Sequence, residues 1–238
     1  MIKKSIVVAT IKSWNICNTE LLEKNIKENF NVVLISKKED LKHENLEKIN
    51  PKYIFFPHWS WIIPKEIYNN FECIVFHMTD LPFGRGGSPL QNLIIRKVYD
   101  TKISALRVNE GIDTGKVYMK RDFSIAEGNA NSIFTNLSNM IFHEMIPYIL
   151  NNHLIPKKQT GTITTFTRRS PEESNMNNSS LMKLHDVYDF IRMLDGEGYP
   201  KAFILLGKLK IFLSDVEYIN EKLYGKFEIV EESNSDIS

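Results

Sequence analysis

Residues 76–89 of this 238-residue chain read Phe-His-Met-Thr-Asp-Leu-Pro-Phe-Gly-Arg-Gly-Gly-Ser-Pro. The segment opens at the end of an apolar run. It closes where Ser88 fits a helix N-cap and Pro89 the first helical position. Ligands in open parallel sheets bind beyond the carboxyl ends of the strands, so His77, at such an end and ahead of a glycine-rich turn, is placed for proton chemistry. The turn is neither a GxxxxGK[ST] phosphate loop nor a GxGxxG dinucleotide loop. Residues 110–115, Glu-Gly-Ile-Asp-Thr-Gly, would bring Asp113 to the same sheet edge, where a carboxylate fixes an imidazole's tautomer and stabilises its charged form. Pro57-His58-Trp59-Ser60-Trp61-Ile62-Ile63-Pro64 follows another strand and makes a rigid, partly apolar wall, a slot for a flat heteroaromatic ligand. Each segment also has a plainly structural reading: a satisfied core histidine, an ordinary Asp-Gly turn and a hydrophobic loop.

Secondary structure must position these residues. Ser5-Ile6-Val7-Val8-Ala9-Thr10 reads as a buried strand, and Asn18 as the N-cap of a helix carrying Leu21, Leu22 and Ile26. Residues 31–36 and 53–56 give a second and a third strand, with a polar crossover over 37–50. Residues 72–77 and 102–108 supply a fourth and a fifth, and 117–123 a sixth, close enough to the fifth to pair antiparallel. Strands alternating with helical stretches imply βαβ units. An apolar stripe of Ile133, Leu137, Met140, Ile141, Met145 and Tyr148 marks a long helix over 129–151, which Pro147 should kink or shorten. After a polar break at 175–180, a helix over 181–194 leads to a β-hairpin, 203–206 and 208–213 around Gly207. The acidic, serine-rich tail from Glu231 is expected to fray. The expected fold is α/β: a Rossmann-like body with a mostly parallel sheet over residues 1–155, then a linker, helix and β-hairpin appendage over 156–238.

Thirty Lys and Arg against 29 Asp and Glu leave a net charge of +1, which argues against a strongly basic polyanion-binding protein. Cys17 and Cys73 have neither a disulfide framework nor metal-ligand spacing, so no metal is expected, and Cys73, in an apolar run, reads as a buried thiol. No apolar stretch approaches the roughly 20 residues of a membrane span, and the Ile6 to Ala9 run is too short for a signal core. The expectation is a cytoplasmic protein without a membrane partner.

His77-Met78-Thr79-Asp80-Leu81-Pro82-Phe83-Gly84-Arg85-Gly86-Gly87-Ser88-Pro89, followed by residues 110–115, resembles the two motifs of the folate-dependent formyltransferases. That family includes methionyl-tRNA, glycinamide ribonucleotide and sugar N-formyltransferases. The resemblance implies formyl transfer from 10-formyltetrahydrofolate to an amine. It implies acid/base catalysis at His77, Asp113 orienting and charging that system, and a pterin pocket lined by His58, Trp59, Ser60, Trp61 and Ile62, with Met78, Gly111 and Ile112 beside it. A histidine tuned by a carboxylate suits the proton traffic of amine attack, and fixed donors for the developing oxyanion are each worth about 100- to 1000-fold. The family pattern has Asn where this chain has Val75, which cannot donate. Thr79, Asn92 or a backbone N–H could replace it, His77 could act alone, or the protein could bind folate and nucleotide sugar without turnover.

The acceptor expected from this resemblance is a nucleotide-linked amino sugar, either a nucleoside diphosphate hexosamine or a CMP-linked nonulosonic acid for surface glycan synthesis. Residues 165–174 and 191–203 resemble the linker and helix-to-hairpin segment of the sugar enzymes. Phe83, Gly84, Arg85, Gly86 and Gly87, with Arg168 and Arg169, are the candidate substrate contacts, since guanidinium pairs with phosphate or carboxylate in a fork. The roughly 80 residues beyond the body and the near-neutral charge are taken against a nucleic-acid partner, and a methionyl-tRNA formyltransferase-like enzyme is the alternative. A homodimer through the hairpin is the further partner suggested.

Overall fold

The structure is a computed structural model that describes residues 3–180 and 183–231; the expectations for 181–182 and for the tail after Glu231 lie outside the described residues. In chain order the elements are β1 (Lys4–Ala9), α1 (Ser13–Ile26), β2 (Phe30–Ile35), α2 (His43–Ile49), β3 (Pro51–Phe56), α3 (Lys65–Asn70), β4 (Cys73–His77), β5 (Arg85–Gly86), α4 (Pro89–Ile95), β6 (Asp100–Arg107), β7 (Val117–Ser124) and α5 (Ala130–Met140). A π-helical turn (Ile141–Met145), α6 (Ile146–Asn151), β8 (Thr165–Phe166), α7 (Leu184–Arg192), β9 (Ala202–Leu206), β10 (Leu209–Ile219) and β11 (Lys222–Glu231) follow. The chain forms two compact units. Met1–Gly86, Thr101–Phe123 and Thr135–Thr165 make the first; Gly87–Asp100, Ser124–Phe134 and Phe166–Ser238 make the second.

The first unit is built on a six-stranded sheet in the order β2-β1-β3-β4-β6-β7. β1 pairs parallel with β2 and β3, and β3 parallel with β4. Ile6, Val7, Val8 and Ala9 are fully buried, as a central strand covered on both faces requires. This is the expected α/β arrangement with one exception. β6 runs antiparallel to β4, with His77 opposite Ser104. A parallel return needs a crossover that carries the chain back to the opposite end of the sheet; the helix between these strands, α4, belongs to the second unit, and the chain re-enters the sheet at the same end it left, beside His77.

Two local expectations change here. Asn18 is not an N-cap: α1 begins at Ser13, and Asn18 lies buried in mid-helix, donating to Ser138 Oγ at 2.8 Å and Asn139 Oδ1 at 3.0 Å. Its polarity serves a tertiary contact rather than a helix end. The helix carrying Pro147 is interrupted as expected, by a π-helical turn that widens the backbone just ahead of the proline, which has no N–H and crowds the preceding turn.

The second unit contains α4, α7 and an antiparallel sheet in the order β11-β10-β9. The hairpin around Gly207, which sits at φ +61°, is present, but β10 extends to Ile219 and a further strand pairs with it. β11 was not legible because its apolar residues face outward (Phe227 is 69% exposed) and its turn uses Asn220 and Glu221, both at positive φ. Among the described residues no helix is long and apolar enough to cross a membrane.

Candidate active site

β4 delivers His77 to the end of the sheet with 7% of its surface exposed. Its Nε2 lies 2.8 Å from the Gly84 carbonyl, and its Nδ1 lies 3.5 Å from Asp113 Oδ2. A carbonyl only accepts, so Nε2 carries a proton; a second proton on Nδ1 would face the carboxylate. The ring therefore has an acceptor ready on both sides, and the imidazolium satisfies both.

Asp113 reaches His77 from a loop that climbs back from β6. The loop is pinned at its base, where the Arg107 N–H donates to Lys116 O at 2.8 Å. A Cβ on Gly115 would stand 1.7 Å from the Arg107 carbonyl oxygen, so only glycine allows this approach. Asp113 itself sits at φ +53°, and its Oδ2 accepts the Gly86 N–H at 2.9 Å. The motif loop thus holds the carboxylate that faces the histidine.

Thr79 is fully buried, its hydroxyl directed at the Gly84 oxygen at a long 3.4 Å, while its carbonyl accepts from Ser104 Oγ at 2.7 Å. Met78, Gly84 and Leu81 are buried around it. Asn92, in the second unit, is not a free donor: its Nδ2 lies 3.0 to 3.1 Å from the carbonyls of Gly87, Ser88 and Thr167. Val75 packs with Trp59 and Val108 on the apolar cluster under β3 and β4, so the position of the family's Asn is an apolar contact.

Trp59 and Trp61 meet edge to face at 4.8 Å, and Phe56 packs against Trp59 at 6.0 Å. His58 contacts Trp14 edge-on, while Ser60 and Ile62 are exposed. Trp59, Trp61, Ile62 and Pro64 line a cavity of about 390 Å³; a second, of about 380 Å³, is lined by Tyr68, Val108, Glu110 and Gly115. Gly111 and Ile112 are exposed on the loop tip.

Two residues that sequence reasoning missed tie the loops together. Thr164 Oγ1 accepts from Gly84 N at 2.6 Å, and its carbonyl accepts from Arg85 N at 3.0 Å. Gln159 Oε1 accepts from Arg85 Nη2 at 2.7 Å and Nε at 3.1 Å, and its Nε2 donates to the carbonyls of Asp113 and Gly115, each at 2.8 Å. Both lie in the stretch read as a linker, and no composition signal marks them.

The remaining candidates fall in the second unit. Ser88 caps α4 by position, but its hydroxyl accepts the Arg169 N–H instead, and Pro89 is the first helical residue. A Cβ on Gly87 would come within 2.5 Å of Arg168 Cβ, so this glycine serves a close packing contact. Arg168 is exposed. The Arg169 guanidinium lies over Phe190 beside Glu173, and burial holds its pKa below the ordinary value, opposed by the Glu173 charge.

Residues 5–148 match the family model described as Formyl transferase, 144 of the 238 residues. The chain belongs to the formyl transferase family. As a formyltransferase it is a one-carbon transferase, and 10-formyltetrahydrofolate is the family's donor. Residues 171–230 match a second model, Methionyl-tRNA formyltransferase, C-terminal domain. A solved structure titled Methionyl-tRNA formyltransferase from Clostridium thermocellum is 51% identical, with a TM-score of 0.92, over 96% of this chain and 99% of that one. A methionyl-tRNA formyltransferase of Campylobacter jejuni is 27% identical over 215 residues, 87% of this chain and 69% of that protein. A sugar N-formyltransferase from Shewanella is 17% identical with a TM-score of 0.68, a likeness of fold alone.

These findings overturn the expected nucleotide-sugar acceptor and the expectation that no nucleic acid is a partner. The length argument fails because the Clostridium thermocellum chain, covered to 99%, carries that title at this length. The charge argument fails because a net charge sums the whole surface and does not locate an acceptor.

The wall loop fits the folate donor. Trp59 Nε1 is buried without a hydrogen-bond partner, an unused donor beside a cavity that Lys38, Glu39 and Lys42 line together with Trp61, Ile62 and Pro64. A pterin is flat and presents ring nitrogens and a carbonyl as acceptors, which is the chemistry such a donor and wall would hold.

Proposed function

We propose that this formyltransferase transfers the formyl group of 10-formyltetrahydrofolate to the amine of methionyl-tRNA. The match of residues 171–230 to the C-terminal domain of methionyl-tRNA formyltransferases carries this reading of the acceptor, and the Clostridium thermocellum relative supports it. The donor supplies the formyl carbon at the acyl level of oxidation, and the chain's residues do the rest.

Trp59, Trp61 and Ile62, with His58, Ser60, Met78, Gly111 and Ile112 around them, hold the donor's ring. His77 takes up the proton that the amine releases as it bonds to the formyl carbon, carries it as an imidazolium between the Gly84 carbonyl and Asp113, and returns it to the donor nitrogen whose bond to that carbon breaks. Asp113 keeps the ring oriented and offsets its charge. Val75 provides no donor and Asn92 is spent on three carbonyls; the His77 ring N–H and the Thr79 hydroxyl share the single Gly84 oxygen, and steadying a negative oxygen would take one of them off that carbonyl. In the 83–87 turn, Arg85 keeps further N–H donors beyond the two given to Gln159 and is the anion contact beside the reacting groups.

The test is direct. Purified protein incubated with 10-formyltetrahydrofolate and methionyl-tRNA should yield N-formylmethionyl-tRNA, read by mass after release of the amino acid. No formylated product, in a reaction where a known methionyl-tRNA formyltransferase succeeds on the same substrates, overturns the acceptor assignment.

A further inference from the structure

Gln159 belongs to neither matched segment; it lies between residues 148 and 171. Yet each of its amide atoms is doubly used on the two motif loops, and all four contacts are 2.7 to 3.1 Å long. Its oxygen faces Arg85, one residue before the glycine whose N–H holds Asp113. Its nitrogen faces the carbonyl of Asp113 itself. Asp113 is in the left-handed region, a strained conformation for a non-glycine residue that persists only where surrounding contacts determine it.

We infer that Gln159 is a positioning residue of the active site: it fixes the Asp113 backbone in its left-handed conformation and ties it to Arg85, which sets the carboxylate against His77. Three contacts over-determine Asp113. Gly86 N–H binds its side chain, Gln159 N–H binds its carbonyl, and the same Gln159 amide binds the carbonyl of Gly115, two residues on. An amide is the one side chain of this length that accepts from a guanidinium at one end while donating to two carbonyls at the other. A carboxylate at position 159 would keep Arg85 and repel the carbonyls of Asp113 and Gly115; an apolar residue would lose both. The inference rests on the His77–Asp113 reading above.

Gln159→Met preserves length and removes all four hydrogen bonds. Its expected effect is a 10- to 100-fold fall in kcat that exceeds any rise in the KM for 10-formyltetrahydrofolate, because the Trp59–Ile62 wall is untouched and only Gly111 and Ile112 of the donor contacts lie on the loop that Gln159 holds. In the free protein the NMR shifts of the His77 ring nitrogens should move, since the carboxylate no longer stands at its fixed place; a role in folding alone would lower Tm and leave those shifts where they were. Gln159→Glu is the second variant. It retains the Arg85 contact, guards against a failure of the Met variant to fold, and should lower kcat with the same His77 signature. Either variant, folded and with parental kcat and parental His77 shifts, overturns the inference. Failure of the underlying reading is separate: it is seen when His77→Ala retains turnover, whatever Gln159 does.

Discussion

Each unit of the molecule holds a nearly buried cluster of charge, and the two are built for opposite ends. In the second unit Asp189 accepts from Tyr99 Oη at 2.6 Å, Lys97 Nζ at 2.9 Å and Arg192 Nε at 2.8 Å, while Arg192, 1% exposed, also donates to the carbonyls of Ile125 and Gly128. The Arg192 guanidinium lies between the rings of Tyr99 and Tyr188. Burial alone would raise the pKa of Asp189, but the hydrogen bonds from Tyr99, Lys97 and Arg192 together hold it below the usual carboxylate range. In the first unit the His77–Asp113 pair has a longer contact, 3.5 Å, between the end of β4 and a loop. A cluster of short contacts around a carboxylate held in its charged form ties together the segments that supply its members. A pair with one longer contact, facing a carbonyl and a carboxylate, is the arrangement that the proposed proton transfer uses.

The comparison is broken most sharply by exchanging the two outcomes. His77→Ala should lower kcat by about 10³-fold, within the range of general acid–base catalysis, with a small change in Tm. Near-parental turnover in that variant removes His77 from the chemistry. Arg192→Met should do the reverse. Removing one member of a buried ion pair costs up to about 3–5 kcal/mol, and here less than an unpaired charge would, because Asp189 Oδ1 and two carbonyls lose Arg192 while Tyr99 and Lys97 still hold Asp189 Oδ2. Urea unfolding reads that loss, and kcat per folded molecule at low temperature should stay within about twofold. A stable Arg192→Met protein would show that the second cluster does not hold the fold.

A smaller effect follows from the sign of the Asp189 shift. Its folded-state pKa is depressed, so its contribution to stability is complete above the unfolded carboxylate value of about 3.9 and is lost as pH falls through the lower folded value. Unfolding midpoints should be flat in this respect from pH 7 to 5 and decline below about pH 4. Asp189→Asn should remove that part of the decline, and an unchanged acid limb in the variant would assign the sensitivity elsewhere.

The same contrast explains what could be read beforehand. β1, β3 and β4 were legible because central strands are apolar on both faces, β2 because its β-branched run stands out even at the sheet edge, and Gly115 and Asp113 because a turn passing this close to a backbone carbonyl admits glycine and because a left-handed carboxylate loop is spelled in Asp and Gly. Gln159 and Thr164 were not, since a side chain 46 residues from its partner leaves no local pattern. Asn18 misled for a related reason: a polar residue near a helix start satisfies either a cap or a distant hydroxyl, and only the fold decides. β11 was hidden by its outward apolar residues, and the antiparallel turn of β6 by a helix that serves the other unit.

The weakest contact at the site gives the smallest expected effect. Thr79 Oγ1 shares the Gly84 oxygen with His77, but at 3.4 Å against 2.8 Å, so its hydrogen bond is worth less than the ring's. Thr79→Val removes that hydroxyl while keeping the branched shape in a fully buried position. A lost weak hydrogen bond contributes about 0.5–1.5 kcal/mol, so kcat should fall about three- to tenfold, with Tm altered by a few degrees at most. A 100-fold fall would mean that Thr79, rather than His77, is the principal donor to the developing negative oxygen and has taken over the task of the asparagine that Val75 replaces. No fall at all would leave the His77 ring as the donor at this site and make the Thr79 hydroxyl a packing contact beneath it.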